Sequence, residues 1–263
     1  MSILDPVSLF GLLLAGSTGV EALATNPTPP AASLDAVKCL EIKSADLDFT
    51  GARKPGQNPA PLSRCLGCPV SGGPPLTAVM PLSNDGTTAQ THPNLWFYVP
   101  YGADEVIGGE FRILEYDATS SRVNTLERQA FQLPSENPGF VSMPWPETAS
   151  LTTVDDAYYW SLVIYCGNDG IPSTVQFVNG WVRRVDVPVE LATQMGGNAA
   201  PLDLLLAENH IWIDAVDALA SLRVIAPTDS DLQARWRNLM TAKGVALANL
   251  PDDTFAGPVL LAE

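Results

Sequence analysis

Positive charge is what this 263-residue chain has least of: 14 Lys and Arg stand against 29 Asp and Glu, a formal net charge of −15. A nucleic-acid backbone needs a basic footprint, so nucleic acid is not an expected partner. An anionic membrane surface is disfavoured for the same reason. Charged residues of both signs reach only 16%, which is low for the surface of a cytosolic enzyme. Histidine is scarcer still. His92 and His210 lie far apart and show no ligand spacing. Zinc takes four ligands in a structural site, so no metal or cofactor is expected. No G-x-S-x-G elbow is present, which removes the commonest serine-hydrolase signature. Beyond the N-terminus no apolar run approaches the length of a membrane span.

What is present is apolar mass and chain punctuation. Hydrophobic residues make up 46%, enough for a full core, and 23 Pro with 20 Gly point to a turn-rich β architecture. The chain opens with an apolar run over 7–20, followed by Ala22-Leu23-Ala24 at the cleavage spacing of a secretory signal. The expected signal peptide is 1–24, with cleavage after Ala24. It departs from the usual pattern in having Asp5, and no Lys or Arg, before the run. Ser17 stands where a lipidated Cys would be in LLLAGS, so no lipid anchor is expected.

Cys39, Cys65, Cys68 and Cys166 agree with export, and four cysteines allow about three full pairings. Cys65-Leu66-Gly67-Cys68 has redox spacing, but Pro69, Gly72, Gly73, Pro74 and Pro75 follow it. A redox pair opens a helix, and no helix starts through those residues. Structural disulfides are the expected use.

Residues 25–75 read as a Pro-rich arm, extended and able to add a strand to a neighbouring sheet or to a second copy of the chain. Strands are expected over 76–82, 95–101, 110–116, 125–133, 140–143, 158–166 and 174–187, with turns at 83–86 and 168–170. The 125–133 strand is polar and reads as an edge. Asn179-Gly180 reads as either a bulge or a second tight turn. About seven or eight short strands with regular turn signals argue for a sandwich. From Pro188 the period becomes helical. A short helix is expected over 201–208, and a second carries Trp212, Ala215, Val216, Leu219 and Leu222 on one face and stops before Pro227. A box at 228–231 with Asp in place of Glu caps a third, lined by Leu232, Trp236, Leu239 and Met240. The fold class is therefore mainly β with α: an immunoglobulin-like antiparallel β-sandwich over 76–187, followed by a C-terminal helical cap over 188–263.

The segment NLWFYVPYG holds four aromatic residues. In a strand Trp96 and Tyr98 share one face, and Leu95, Phe97 and Val99 the other. Two bulky faces predict a central strand, with one face in the sandwich core and the other under the cap. The functional alternative makes Trp96, Tyr98 and Tyr101 a stacking platform for a sugar ring.

Several segments resemble the domain of unknown function 928 family, found largely in cyanobacteria. They are Cys68-Pro69 with LTAVMPL, HPNLWFYVPYG, PGFVSMPWP, YYWSLVIYC, FVNGWVRRV and HIWIDAVDALASLR, in order over 65–240. WFYVPY and GWVRRV are the most specific. The resemblance implies an exported protein with a β-rich core and a helical C-terminus, and no enzyme class. It also implies that Cys68 pairs with Cys166, which leaves Cys39 and Cys65 for each other. Closing a loop of about 100 residues contributes up to roughly 4.7 kcal/mol in the chain-entropy model.

Other chemistry is thin. His210 and Asp214 lie at i, i+4 and could meet on a helix. Asp155-Asp156 and Glu110/Glu115 differ in strand parity, which is wrong for a glycosidase pair. The Asn-Asp-Gly clusters read as turns rather than calcium loops. Arg183-Arg184 place one guanidinium inward, where it needs a partner such as Asp186 or a C-terminal carboxylate, or else binds an anion. The expected protein is a non-enzymatic binding or assembly module of the cell envelope, periplasmic or extracellular, with an envelope protein or glycan as partner. The arm is a possible contact for homo-oligomers. Two alternatives differ in class: a carbohydrate-binding module using Trp96, Tyr98, Tyr101, Trp145 and Trp181, and an envelope hydrolase using His210 and Asp214.

Overall fold

Alternation of side chains organises two sheets. A computed structural model of the chain describes residues 47–56, 58, 68, 73–117, 122–168, 171–197 and 200–262. The signal segment, Cys39, Cys65 and most of the Pro-rich arm lie outside the described residues. Among the described residues are ten strands: β1 (Thr77–Ala78), β2 (Asp85–Thr88), β3 (Asn94–Val99), β4 (Gly108–Asp117), β5 (Arg122–Gln132), β6 (Gly139–Pro144), β7 (Ala157–Asn168), β8 (Ile171–Arg184), β9 (Phe255–Pro258) and β10 (Leu260–Leu261). Four helices join them: α1 (Val189–Gly196), α2 (Leu202–Glu208), α3 (Trp212–Ile225) and α4 (Ser230–Met240). The fold is mainly β with α. No described helix is long and apolar enough to cross a membrane.

The smaller sheet has the order β1-β3-β6-β9 and the larger β10-β5-β4-β7-β8-β2. Both are mixed, since β2 runs parallel to β8 and β9 parallel to β6. The expectation of an immunoglobulin-like, wholly antiparallel arrangement is corrected on that point. Its cause is local. The turn spans 81–84, two residues earlier than the expected 83–86, with the Asn84 N–H donating to the Pro81 carbonyl at 2.9 Å and Asn84 at φ 57°. Asp85 and Gly86 then become strand rather than turn. The C-terminal region is likewise not helices alone, because its last residues return one strand to each sheet.

The expected edge strand, β5, has only the two-residue β10 on its outer side. Asn179-Gly180 is neither turn nor bulge. It passes straight through β8, opposite Ser161 and Trp160, and the register slips at Cys166/Gly167 instead. A Cβ on Gly180 would stand 2.8 Å from Trp160 Cζ2 and 2.7 Å from Asn84 Oδ1. The glycine is there for close approach.

Phe97 of β3 meets Trp160 of β7 edge-on at 5.4 Å, which joins the two sheets. Against β3 and β2 lies α3, whose Trp212, Ala215, Val216 and Leu219 are buried while Leu222 is 41% exposed. Phe140 of β6, Phe255 of β9 and Trp236 of α4 form an aromatic trio with centroids 4.8–5.2 Å apart. The cap of α4 is Asp229, which accepts from the Asp231 and Leu232 N–H groups at 2.9 and 3.0 Å. Thr228 stands one residue too early for that role. Cys68 and Cys166 are joined by a disulfide with Cα atoms 5.3 Å apart, which ties the segment before β1 to β7.

Candidate functional site

The aromatic stretch holds the fold together. Trp96, Tyr98, Tyr101 and Trp145 are 4%, 5%, 4% and 2% exposed. A sugar platform needs an open ring face, and these four have none. Trp96 Nε1 donates to Asp217 Oδ1 at 2.8 Å, and Tyr98 packs edge-on to Phe140. Burial, with Glu105 adding repulsion, pushes the Tyr101 phenol up to about 12. Trp145 lies against Phe111 and Tyr158 and donates its Nε1–H to the Ala149 carbonyl. Trp181 differs. It is half-buried, donates Nε1–H to the Pro55 carbonyl at 2.8 Å, packs on Tyr159 and lies under Lys54 Nζ at 5.3 Å.

Residues 47–55 form a strap that leads to this tryptophan. It is held by Phe49 N–H to the Lys243 carbonyl at 2.8 Å and Lys54 N–H to the Ser83 carbonyl at 2.7 Å. Between the strap, β2, β8 and the start of α3 lies an open groove of about 630 Å³, lined among others by Arg53, Lys54, Asp85, Arg183, His210 and Trp212. Asp85 Oδ2 accepts from Lys54 at 3.3 Å and Arg183 at 3.1 Å. The inward partner of Arg183 is thus Asp85, not Asp186 or a C-terminal carboxylate. Register explains it: β2 is laid beside β8, with Asp85 opposite Trp181 and Thr87 opposite Arg183. Arg184 takes a different route, donating to the Leu151 and Thr152 carbonyls at 3.4 and 3.0 Å. At the groove's far end Asp48 is paired with Lys243 at 2.7 Å. The Lys243 bond, with those from Thr50, holds the Asp48 carboxyl well below its usual range.

His210 and Asp214 do not meet. His210 precedes α3 at φ 58°, is exposed, and sets its ring edge-on to Phe49 at 5.8 Å. Asp214 is buried in the first turn of α3. Its Oδ1 accepts from Thr88 Oγ1 at 2.5 Å and its Oδ2 from the Ala89 N–H at 2.9 Å. Both oxygens therefore anchor the end of β2 to the helix. Burial pushes the Asp214 carboxyl above its ordinary value, against the two hydrogen bonds and with help from Asp217. The i, i+4 spacing failed because His210 lies outside the helix it was read into.

A second cavity escaped the sequence reading. It measures about 340 Å³ and is lined by Ala89, His92, Asn94, Val187, Met195, Leu202, Leu206, Asp214 and Asp217, among others. Asp217 accepts from Trp96 at 2.8 Å and from Asn94 Nδ2 at 3.2 Å. The only signal in the sequence was a pair of acids three apart on an otherwise apolar helix face. Arg223 was missed as well. It is fully buried in α3 and donates to the Pro227 and Asp252 carbonyls at 2.6 and 2.5 Å.

A family model, Domain of Unknown Function (DUF928), matches residues 51–252. The chain belongs to this family. No curated protein matches it. The DUF928 region starts in the strap and ends after α4, so it takes in the disulfide and nearly all of both cavity walls, and β9 and β10 fall beyond it.

Proposed function

We propose that this DUF928 protein is an exported, non-enzymatic binding or assembly module of the cell envelope, and that the strap groove is its contact face. The observation that carries this reading is charge placement. In a chain of net charge −15, Arg53, Lys54, Arg183 and His210 line one groove with Asp48 and Asp85. The partner is an envelope protein or glycan that presents an acidic group there. The Cys68–Cys166 bond supports an oxidising compartment, and cleavage after Ala24 leaves the Pro-rich arm attached to the strap. The Phe97–Trp160 contact supports reading the two sheets as layers of a sandwich. For the carbohydrate alternative Trp181 is the one remaining ring of five.

Two experiments test the reading. Intact mass spectrometry of the natively expressed protein, with and without reductant, should give an N-terminus at Thr25 and a gain of hydrogens on reduction. A full-length N-terminus with free thiols would end the exported reading. A photo-crosslinker at exposed Ala52 should give a discrete adduct in the envelope fraction that is lost in an Arg53→Glu/Lys54→Glu variant. An unchanged adduct would move the contact face elsewhere.

A further inference from the structure

The second cavity combines an apolar lip with an acidic floor. Its lip is apolar and uncovered: Val187, Met195 and Leu202 are 36%, 39% and 45% exposed, with Val189 beside them at 76%. In α1 only Leu191 is buried, so this helix spends most of its apolar surface on solvent. Exposed apolar patches of this kind mark binding sites more often than chance.

The floor is acidic and lacks a counter-charge. No Lys or Arg lines the cavity, and no ion pair among the described residues includes Asp214 or Asp217. Asp214 has both oxygens engaged. Asp217 accepts one hydrogen bond on each oxygen, and a carboxylate has roughly four lone-pair sites, so acceptor capacity remains. His92 also lines the cavity. Its Nδ1 is 3.1 Å from Thr91 Oγ1, and its Nε2 is buried without a partner. In the tautomer that donates Nδ1–H to Thr91, Nε2 is an acceptor.

We propose that this cavity binds a small molecule carrying a protonated amine on an apolar body, with the ammonium at Asp217 and the body against Val187, Met195, Leu202 and Leu206. A cavity of about 340 Å³ lies within the range of small-ligand sites, roughly 300–1,000 Å³. An anion is excluded by the paired carboxylates, and a wholly apolar ligand would leave the floor uncompensated.

The test is calorimetric titration of the full chain with hexylamine, hexanol and hexanoate. Hexylamine should bind about tenfold or more tightly than hexanol, the margin of a charge-assisted hydrogen bond, and hexanoate should bind weakest. Asp217→Asn keeps an acceptor for Trp96 and should abolish the preference. Leu202→Arg sets a cation on an exposed lip position, and should weaken hexylamine more than hexanol. It keeps the test alive if Asp217→Asn does not fold. Equal affinity for amine and alcohol, no binding of either, or a preference that survives both substitutions would overturn the proposal.

Discussion

At the scale of the residue, Gly180 and Asp214 show how neighbours remote in sequence set a side chain's role. Gly180 sits where Trp160 and Asn84 leave no room for a methyl group. Gly180→Ala should therefore destabilise the protein by about 1–3 kcal/mol, the usual cost of overpacking. Urea unfolding checks this, and an unchanged midpoint would show that β8 can shift. Asp214 has a carboxyl raised by burial above its ordinary 3.8. The folded state then holds that proton more tightly than the unfolded chain. Its contribution to stability is present below the unfolded value and is lost as pH rises through the raised folded value. Across that window Asp214→Asn should gain stability relative to the unsubstituted protein. A difference that does not vary with pH in parallel urea titrations would contradict the assignment. Neither effect was legible beforehand. Asn-Gly is ambiguous in any strand, and Asp214 reveals its environment only when Thr88 and Ala89 arrive beside it.

At the scale of the element, long strands were legible; of the short ones only β1 falls inside an expected run, 76–82, and it keeps two residues of it. β3, β4, β7 and β8 carry alternation or aromatic density over six or more residues, and their positions follow from it. β2 and β9 have four residues each and β10 has two, too few for a period. Their pairing comes from the strand already in place: β8 for β2, β6 for β9 and β5 for β10. β9 matters beyond its length because Phe255 completes the trio with Phe140 and Trp236. Phe255→Ala should cost about 2–4 kcal/mol and lower the thermal midpoint in calorimetry. A negligible change would mean that Phe140 and Trp236 close over the gap. α1 is the helix that the pattern hid. Its one buried residue gives no face to read, and that same feature leaves the amine cavity's lip uncovered.

At the scale of the whole molecule, net charge dominates. With a formal charge of −15 the folded chain repels itself, and salt screens that repulsion. Raising NaCl from about 0.02 to about 0.3 M should raise Tm by about 2–5 °C. A fall would mean that pairs such as Asp85 with Lys54 and Arg183 outweigh the general repulsion. The charge balance, the pattern of the long strands, the helices after Pro188 and the core role of the WFYVPY aromatics all belong to the sequence, because periodicity and composition are properties of a linear chain. The parallel pairs, the partner of Arg183, the separation of His210 from Asp214 and both cavities belong to the tertiary structure. Each depends on segments brought together from distant parts of the chain, and no local pattern records which residues will face each other across that distance.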